Sequence, residues 1–492
     1  MALFGKKLAE VKIWLKPNME TLQRTANRGS VSTGFNISNS LKLEADDSEW
    51  LYKANDAGTN RKTFTVSMWF KRTELANDYM QLWQGGSNGE ATRLGFYGGT
   101  PKEAIWVDVG GGSGNTGSDY RSYSVQVLRD TSAWYHIVLA VDTTQGTAAN
   151  RLKVWLNGDE ITTWTNQAIP AQDFQCSLEA SINMHWGAYN STYYKMCGYI
   201  AECHYLDGVA KVQTDFGEVN EDSGIWKPIK YDGTYGGNGC YLKFDDSSDL
   251  GKDSSGNGNT FTLNNVSAAN QAQDSPTNNF CILNAVYQAQ ATKYHVVSNG
   301  GTFVTGTASG TAWDGVAGTI PLFKGKWYFE LKKDGGSGTN MIVGAGGIDQ
   351  HLYNWRTLTA ITTGAKLYFS YNGTIYSNGQ GGGASWTDND IISIAIDQDN
   401  LGLYFAKNGA WQNSGDPESG SDRTGANTIT WGDSIPAFNV ANNVGGLELN
   451  FGGFDGFAVS SGNADANGYG NFEYAPPTGY YAICTKNLAE FG

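Results

Sequence analysis

The chain has 492 residues, with 34 Lys plus Arg against 48 Asp plus Glu, a formal charge of −14, and it is 40 % hydrophobic but only 17 % charged. That length implies two to four domains at roughly 100–200 residues each, the hydrophobic share excludes global disorder, and the acidic balance disfavours binding to nucleic acid or anionic membranes. With 63 aromatic residues (26 Tyr, 21 Phe and 16 Trp) and 64 Gly, the composition favours strands and stacking surfaces over long helices, and an all-β carbohydrate binder fits it.

Residues 1–30 form the only basic stretch, and they lack the apolar core and small-residue cleavage site of a signal peptide. They read as an N-terminal anchoring arm whose contacts are Lys6, Lys7, Lys12, Trp14 and Lys16. No segment approaches the roughly 20 apolar residues of a membrane span, so synthesis in the cytoplasm as a soluble protein is expected.

From Phe35 the hydrophobic period becomes two. Leu41 and Leu43, Phe64 to Phe70, Ile105 to Val109 and Tyr135 to Val141 alternate or run apolar between Gly and Asn clusters. Asn157-Gly158, between two strand patterns, is the dipeptide whose residues accept positive φ in a type I′ hairpin. The glycine run Gly110 to Gly117 reads as a loop. The ordered set Leu41-Lys42-Leu43, Phe64 to Phe70, Trp134-Tyr135-His136, Leu152 to Gly158 and Gly198 to Glu202 resembles a concanavalin A-like, laminin-G-like jelly roll. The resemblance implies a β-sandwich over residues 31–215.

Residues 216–314 are dense in Gly, Asn and Asp with short strand signals, and they read as a connector. Trp226-Lys227-Pro228, Tyr231 to Gly236 and Asp253 to Asn259 lie in a run, Gly224 to Phe280, that resembles the connector after laminin-G-like domains in structural proteins of tailed phages, particularly marine ones. Beyond it, Lys326 to Leu331, Ile342 to Gly346, Leu367 to Gly373, Asp390 to Asp397, Leu401 to Gly409 and Leu447 to Gly452 form a second strand series, with hairpin turns at Asn372-Gly373 and Asn408-Gly409. Their order resembles a SPRY-type sandwich, implied for residues 315–492. The expected architecture is all-β, with two sandwiches, a connector and an arm.

Several motifs bear on chemistry. Glu44 to Glu49 matches the bare spacing E-x-D-x-x-E of retaining glucanases, but Asp47 stands where that motif carries an apolar residue, so a solvated loop is expected and no catalytic residue is assigned. Gly85 to Gly89 fits G-x-S-x-G without the helix that a nucleophile elbow requires. Cys197, Cys203 and His204 lack paired metal-ligand spacing, and alternation puts Cys203 and His204 on opposite faces of one strand. Six cysteines in this length point to reduced thiols rather than a disulfide scaffold. No cofactor or metal site is assigned; calcium is the ion whose oxygen ligands are present, in Asp245 to Asp249 with Asp253 and Asn257. For sugar binding the sequence offers Tyr353, Asn354, Trp355 and Arg356, then Trp386 and Trp411, as aromatics beside polar side chains on loops.

Taken together, the resemblances imply a non-enzymatic virion structural protein, a tail fibre or receptor-binding appendage that contacts host glycans or surface proteins. The alternatives are a capsid decoration or head-fibre protein and, behind it, a polysaccharide depolymerase. Implied partners are other virion proteins and further copies of the chain, a trimer being the common form in fibres. Nucleic-acid binding and membrane insertion are not expected. No heptad or β-helical repeat is present to build a stalk, which favours a compact appendage.

Overall fold

In the strand Thr63–Arg72, Phe64, Val66, Met68 and Phe70 are buried in one hydrophobic core, while Trp69 belongs to a separate cluster on the opposite face. This is the period of two that a pleated strand imposes. The computed structural model describes residues 34–492 except 57, 76–78, 87–90, 111–119, 179–181, 190–192, 222, 287–294, 307–312, 336–340, 348–364, 377–382 and 442–444. The anchoring-arm residues Lys6, Lys7, Lys12, Trp14 and Lys16 therefore lie outside the described residues.

Two eight-stranded antiparallel sheets make the first sandwich. One is centred on Trp134–Asp142, Thr63–Arg72, Gly198–Asp207 and Ser40–Leu43; the other runs Trp164–Asn166, Tyr120–Val127, Ala104–Val109, Thr92–Phe96, Met80–Gly85, Asn183–Trp186, Trp50–Ala54 and Thr262–Asn264. In Gly198–Asp207 a bulge breaks the register between Ala201 and His204, where Glu202 takes a left-handed φ of 49°. The extra residue resets alternation, so Ile200 and then Cys203 and Tyr205 all reach the core. His204 faces outward and stacks on Tyr241, with ring centroids 4.3 Å apart, as the alternation predicts.

The connector is not a separate element at its start. Cys240–Leu242 pairs with Gly198–Asp207, Thr262–Asn264 with Trp50–Ala54, and Gln271–Ala272 with Ser40–Leu43. Phe244, Leu250, Phe261 and Val266 are buried in the first core. Residues 240–272 thus complete the first sandwich. Gly217–Val219 and Trp226–Pro228 form a hairpin beside its outer face, where the Trp226 indole stacks against His136.

At the connector's other end, Cys281, Leu283, Val297 and Val304 are buried in the second core, and His295–Ser298 and Phe303–Gly306 enter its sheet. That second sandwich has a nine-stranded sheet built around Lys326–Asp334, Ile391–Asp397 and Gly402–Lys407, facing a five-stranded sheet around Met341–Gly346 and Ile435–Ala441. The predicted hairpins are present. Asn157 and Gly158 have φ of 48° and 89°, Asn408 and Gly409 have 48° and 79°, and Gly373 has 71°. Thr485–Phe491 is the one α-helix among the described residues.

Polar and aromatic side chains fasten the two sandwiches together. Lys71, wholly buried, donates to Asp274 at 2.7 Å, to Asn279 Oδ1 at 2.7 Å and to the Phe280 carbonyl at 3.1 Å. The Trp134 indole N–H donates to the same Asp274 at 2.8 Å, and the Tyr199 hydroxyl donates to the Gly300 carbonyl at 2.6 Å.

Candidate functional site

Six strands of the second sheet of the first sandwich bring their residues into direct cross-strand register. His185 lies opposite Tyr52 and Gln84, Gln84 opposite Arg93, Arg93 opposite Asp108, and Asp108 opposite Arg121. Opposed residues share a face, and the alternate positions Leu51, Met184, Leu94 and Val107 fill the core. The row Tyr52, His185, Gln84, Arg93, Asp108, Arg121 therefore crosses the sheet on the side away from that core.

Asp108 is the electrostatic centre of the row. Its carboxylate is fully buried and accepts from Arg121 Nε at 2.9 Å and Nη2 at 3.0 Å, and from the Trp106 indole N–H at 3.0 Å, while Arg93 Nη1 lies 3.5 Å away. The Arg93 guanidinium sits 4.4 Å over the Tyr189 ring and 5.6 Å over Trp106. Tyrosines frame this floor. Tyr79 packs on Trp106 at 4.7 Å and near Tyr194 at 4.9 Å, and Tyr97 stacks on Tyr123 at 4.3 Å. Tyr193, at the rim, is 58 % exposed.

Three buried polar atoms in the row, Gln84 Oε1, Arg93 Nε and His185 Nδ1, find no hydrogen-bond partner. Each such atom costs about 1–3 kcal/mol when left unpaired; the three lie beneath the tyrosine frame, shielded from solvent, and other buried atoms among the described residues, such as the core indole N–H groups of Trp83 and Trp186, share that state. Burial pushes the His185 imidazole down to about 4, so it is neutral at physiological pH and offers one donor and one acceptor. The arrangement suits a polyhydroxylated ligand, with rings for its C–H faces and amide, imidazole and guanidinium groups for its hydroxyls. For glycoside hydrolysis the row is poorly equipped. That chemistry uses two carboxylates, about 5 Å or about 6.5–9.5 Å apart, and Asp108 is the single carboxylate of the row, already held by two guanidiniums and an indole.

The residues singled out in the sequence lie elsewhere. Tyr353, Asn354, Trp355 and Arg356 are outside the described residues. Trp386, expected on a loop as a stacking surface, is instead 1 % exposed in the second core against Tyr368, so its ring cannot take a sugar. Trp411 is half-buried on an edge strand, edge-on to Tyr404 at 6.4 Å. Glu44 and Glu49, expected in a solvated loop, are buried. Glu49 accepts the Glu44 N–H at 2.7 Å and pairs with Lys42 at 3.1 Å; Glu44 accepts the Cys197 thiol at 3.1 Å. They brace a turn.

In the acidic loop, Asp246 is occupied by Ser248 and Lys252, and Asp253 by the N–H groups of Tyr241, Ser255 and Asn259. Glu44, Glu74 and Cys197 gather one ligand atom each within 4.8 Å, but the Cys197 thiol donates to Glu44 and burial among carboxylates raises its pKa well above the ordinary value. The group fits a protonated, hydrogen-bonded thiol. All six cysteines are buried, and none is in a disulfide.

The polar row escaped the sequence reading for a physical reason. Ala104–Val109 is visible as a strand, but which residues oppose Asp108 depends on a register set by strands far away in sequence. The local sign was Arg93 and Asp108 alternating with core residues.

Residues 46–202 match the Concanavalin A-like lectin/glucanases superfamily, and every residue of the row lies within that span. Among solved structures, the chain is similar to the SPRY domain of human HERC1 (19 % identity, 32 % of this chain and 92 % of that one, TM-score 0.26). A second human SPRY domain gives 16 % identity, 32 % and 94 % coverage and a TM-score of 0.26. A Bacteroides ovatus protein assigned to carbohydrate binding gives 14 % identity, 47 % and 59 % coverage and a TM-score of 0.29. No curated protein matches the sequence. The likeness to that superfamily is thus confined to residues 46–202 of a nearly all-β chain.

Proposed function

We propose that the protein binds glycans without cleaving them, through the polar row on the outer sheet face of the first sandwich, and that it does so as a receptor-binding appendage of a virion. The observation that carries the glycan reading is the cross-strand row of polar side chains that runs from buried Gln84, Arg93 and Asp108 out to the part-exposed Arg121, framed by tyrosines of which Tyr193 is exposed. The lectin-like superfamily of residues 46–202 supports it. The virion setting is supported by the resemblance of the run from Gly224 to Phe280 to connectors in tailed-phage structural proteins, and by the pairing of two sandwiches in one acidic chain.

The test is calorimetric titration with glycans selected on an array, using Arg93→Met and the nearly isosteric Gln84→Leu. Removing a charge-assisted hydrogen bond costs about 1.5–3 kcal/mol, so Arg93→Met should weaken binding about 10- to 150-fold while Gln84→Leu, which preserves volume, lowers affinity with the melting temperature little changed. No glycan binding by the intact chain, or full affinity in both variants, contradicts the reading. Immunogold labelling of purified particles tests the setting separately: label at a tail tip or fibre is expected, and label confined to the capsid lattice assigns the chain to decoration instead.

A further inference from the structure

We infer that the cleft between the two sandwiches is a second saccharide site, built for an uncharged oligosaccharide that lies along residues 35–39. The inference rests on the glycan-binding reading above but concerns a different surface. Three cavities of about 320, 300 and 290 Å³ succeed one another there; Asn36 lines the first and second, and Asn39 and Gln273 line the second and third. Each is near the lower end of the roughly 300–1,000 Å³ typical of small-ligand sites, so together they form a trough rather than a single pocket.

The first compartment presents three tryptophans, Trp69, Trp134 and Trp226. Two polar edges are committed, the Trp134 N–H donating to Asp274 at 2.8 Å and the Trp226 N–H to His136 Nδ1 at 3.0 Å, while Trp69 is buried with its ring stacked on His136 at 4.8 Å. What remains is ring surface, half-buried in Trp134 and Trp226, and the C–H face of a pyranose is the complement of such a surface. Further along, the lining turns to amides: Asn39, Gln271, Gln273 and Asn471. Each already makes one contact, Asn39 Nδ2 donating to the Ala272 carbonyl at 3.4 Å, Gln271 Nε2 to the Phe244 carbonyl at 2.7 Å and Asn471 Nδ2 to Asp455, and Gln273 Oε1 accepting from the Gly470 N–H at 3.2 Å; with two N–H donors and two acceptor lone pairs, an amide has capacity left for a hydroxyl group without requiring a charge.

The ionised side chains of the trough are already engaged. Lys227 pairs with Glu218 at 2.9 Å, Lys486 donates to Asn36 Oδ1 at 2.6 Å, and Asp455 accepts from Asn471 Nδ2 at 2.5 Å. A ligand charge placed at Lys227 or Asp455 would compete with these contacts. A neutral sugar chain displaces none, stacking at the tryptophan end and hydrogen-bonding along the amides.

The experiment uses the full chain and an array of neutral glycans from disaccharides to octasaccharides, followed by titration of the bound series. A trough of three compartments predicts affinity rising at least tenfold from disaccharide to hexasaccharide. Trp226→Ala should abolish that rise, and so should Asn36→Trp, which places bulk at an exposed junction of two compartments and leaves the cores untouched. Binding that depends on Arg93 should survive both variants. If Arg93-dependent binding is seen but the length dependence is missing, or persists in both variants, the cleft belongs to another occupant and this inference alone is overturned. If the intact chain binds no neutral glycan, this inference and the reading on which it rests both fall.

Discussion

Lys71 and Asp274 show how much of this molecule is decided by single buried polar groups. Both side chains are fully shielded, and Asp274 also takes the Trp134 indole N–H, so each charge is fully compensated. Removing one partner strands the other, a change that costs about 3–5 kcal/mol. Lys71→Met should therefore lower the urea midpoint by that amount of stability and, because Lys71 also holds Asn279 and the Phe280 carbonyl, should separate unfolding of the two sandwiches into two transitions. A single transition at the original midpoint would show that the link is dispensable. Nothing in the local sequence around Lys71 announces this role. A lysine on a strand reads as a solvated position, and its partner lies 203 residues away. Trp386 teaches the same lesson in reverse: polar neighbours in sequence suggested an exposed ring, and packing against Tyr368 buried it.

Within strands and hairpins, the signals set by neighbouring residues were readable and those set by distant pairing were not. The Asn-Gly turns and the alternation in Thr63–Arg72 follow from local sterics. The bulge at Glu202 and the strands of residues 240–272 depend on which edges of the sheets were left unpaired, and that is fixed only when the sandwich closes. The strands also carry opposite pH sensitivities. Burial, with neighbouring His204 adding to it, lowers His136 on Trp134–Asp142 to about 3, and burial lowers His185 on Asn183–Trp186 to about 4. Between the unfolded value near 6.5 and these values the unfolded chain takes up protons that the native state refuses, so the first sandwich loses stability as pH falls below 6.5. At pH 5 the loss is about 2 kcal/mol per histidine at 1.36 kcal/mol per pH unit.

Glu330, on Lys326–Asp334, behaves in the other sense. Burial raises it to about 7, only partly offset by the Tyr328 hydroxyl and the N–H groups of Tyr474 and Glu473. The native state holds that proton where the unfolded chain has released it, so this contribution is full below about 4.5 and is lost as pH rises through 7. Calorimetry of Lys71→Met, in which the sandwiches unfold separately, at pH 7.5 and pH 5 should show the first sandwich destabilised on acidification relative to the second. His185→Gln should remove part of the first sandwich's shift. Equal shifts of both sandwiches would contradict these assignments.

For the whole molecule, the division into two β-sandwiches was legible from strand series and turn chemistry, because each core needs its own repeating alternation. The binding surface was not, because it is assembled across strands from residues as distant as Tyr52 and His185. The sequence drew attention to loop aromatics, as lectin-like recognition through loops would suggest. The described structure instead sets a row of polar side chains on a sheet face and a tryptophan-lined cavity at the seam between the sandwiches. The first sandwich supplies the floor, and the second, through residues such as Phe454 and Tyr469, walls the cleft. On the proposed reading the chain carries two binding surfaces, which suits attachment to an extended surface polymer better than capture of a small solute.

The measurement that bears most directly on this account is the structure of the full chain bound to a glycan selected on the array. The account predicts a sugar ring over the row, against the rings of Tyr79 and Tyr193 and within hydrogen-bond distance of the Arg121 guanidinium. A glycan held only by the loops of the second sandwich, with the row left uncovered, would contradict it.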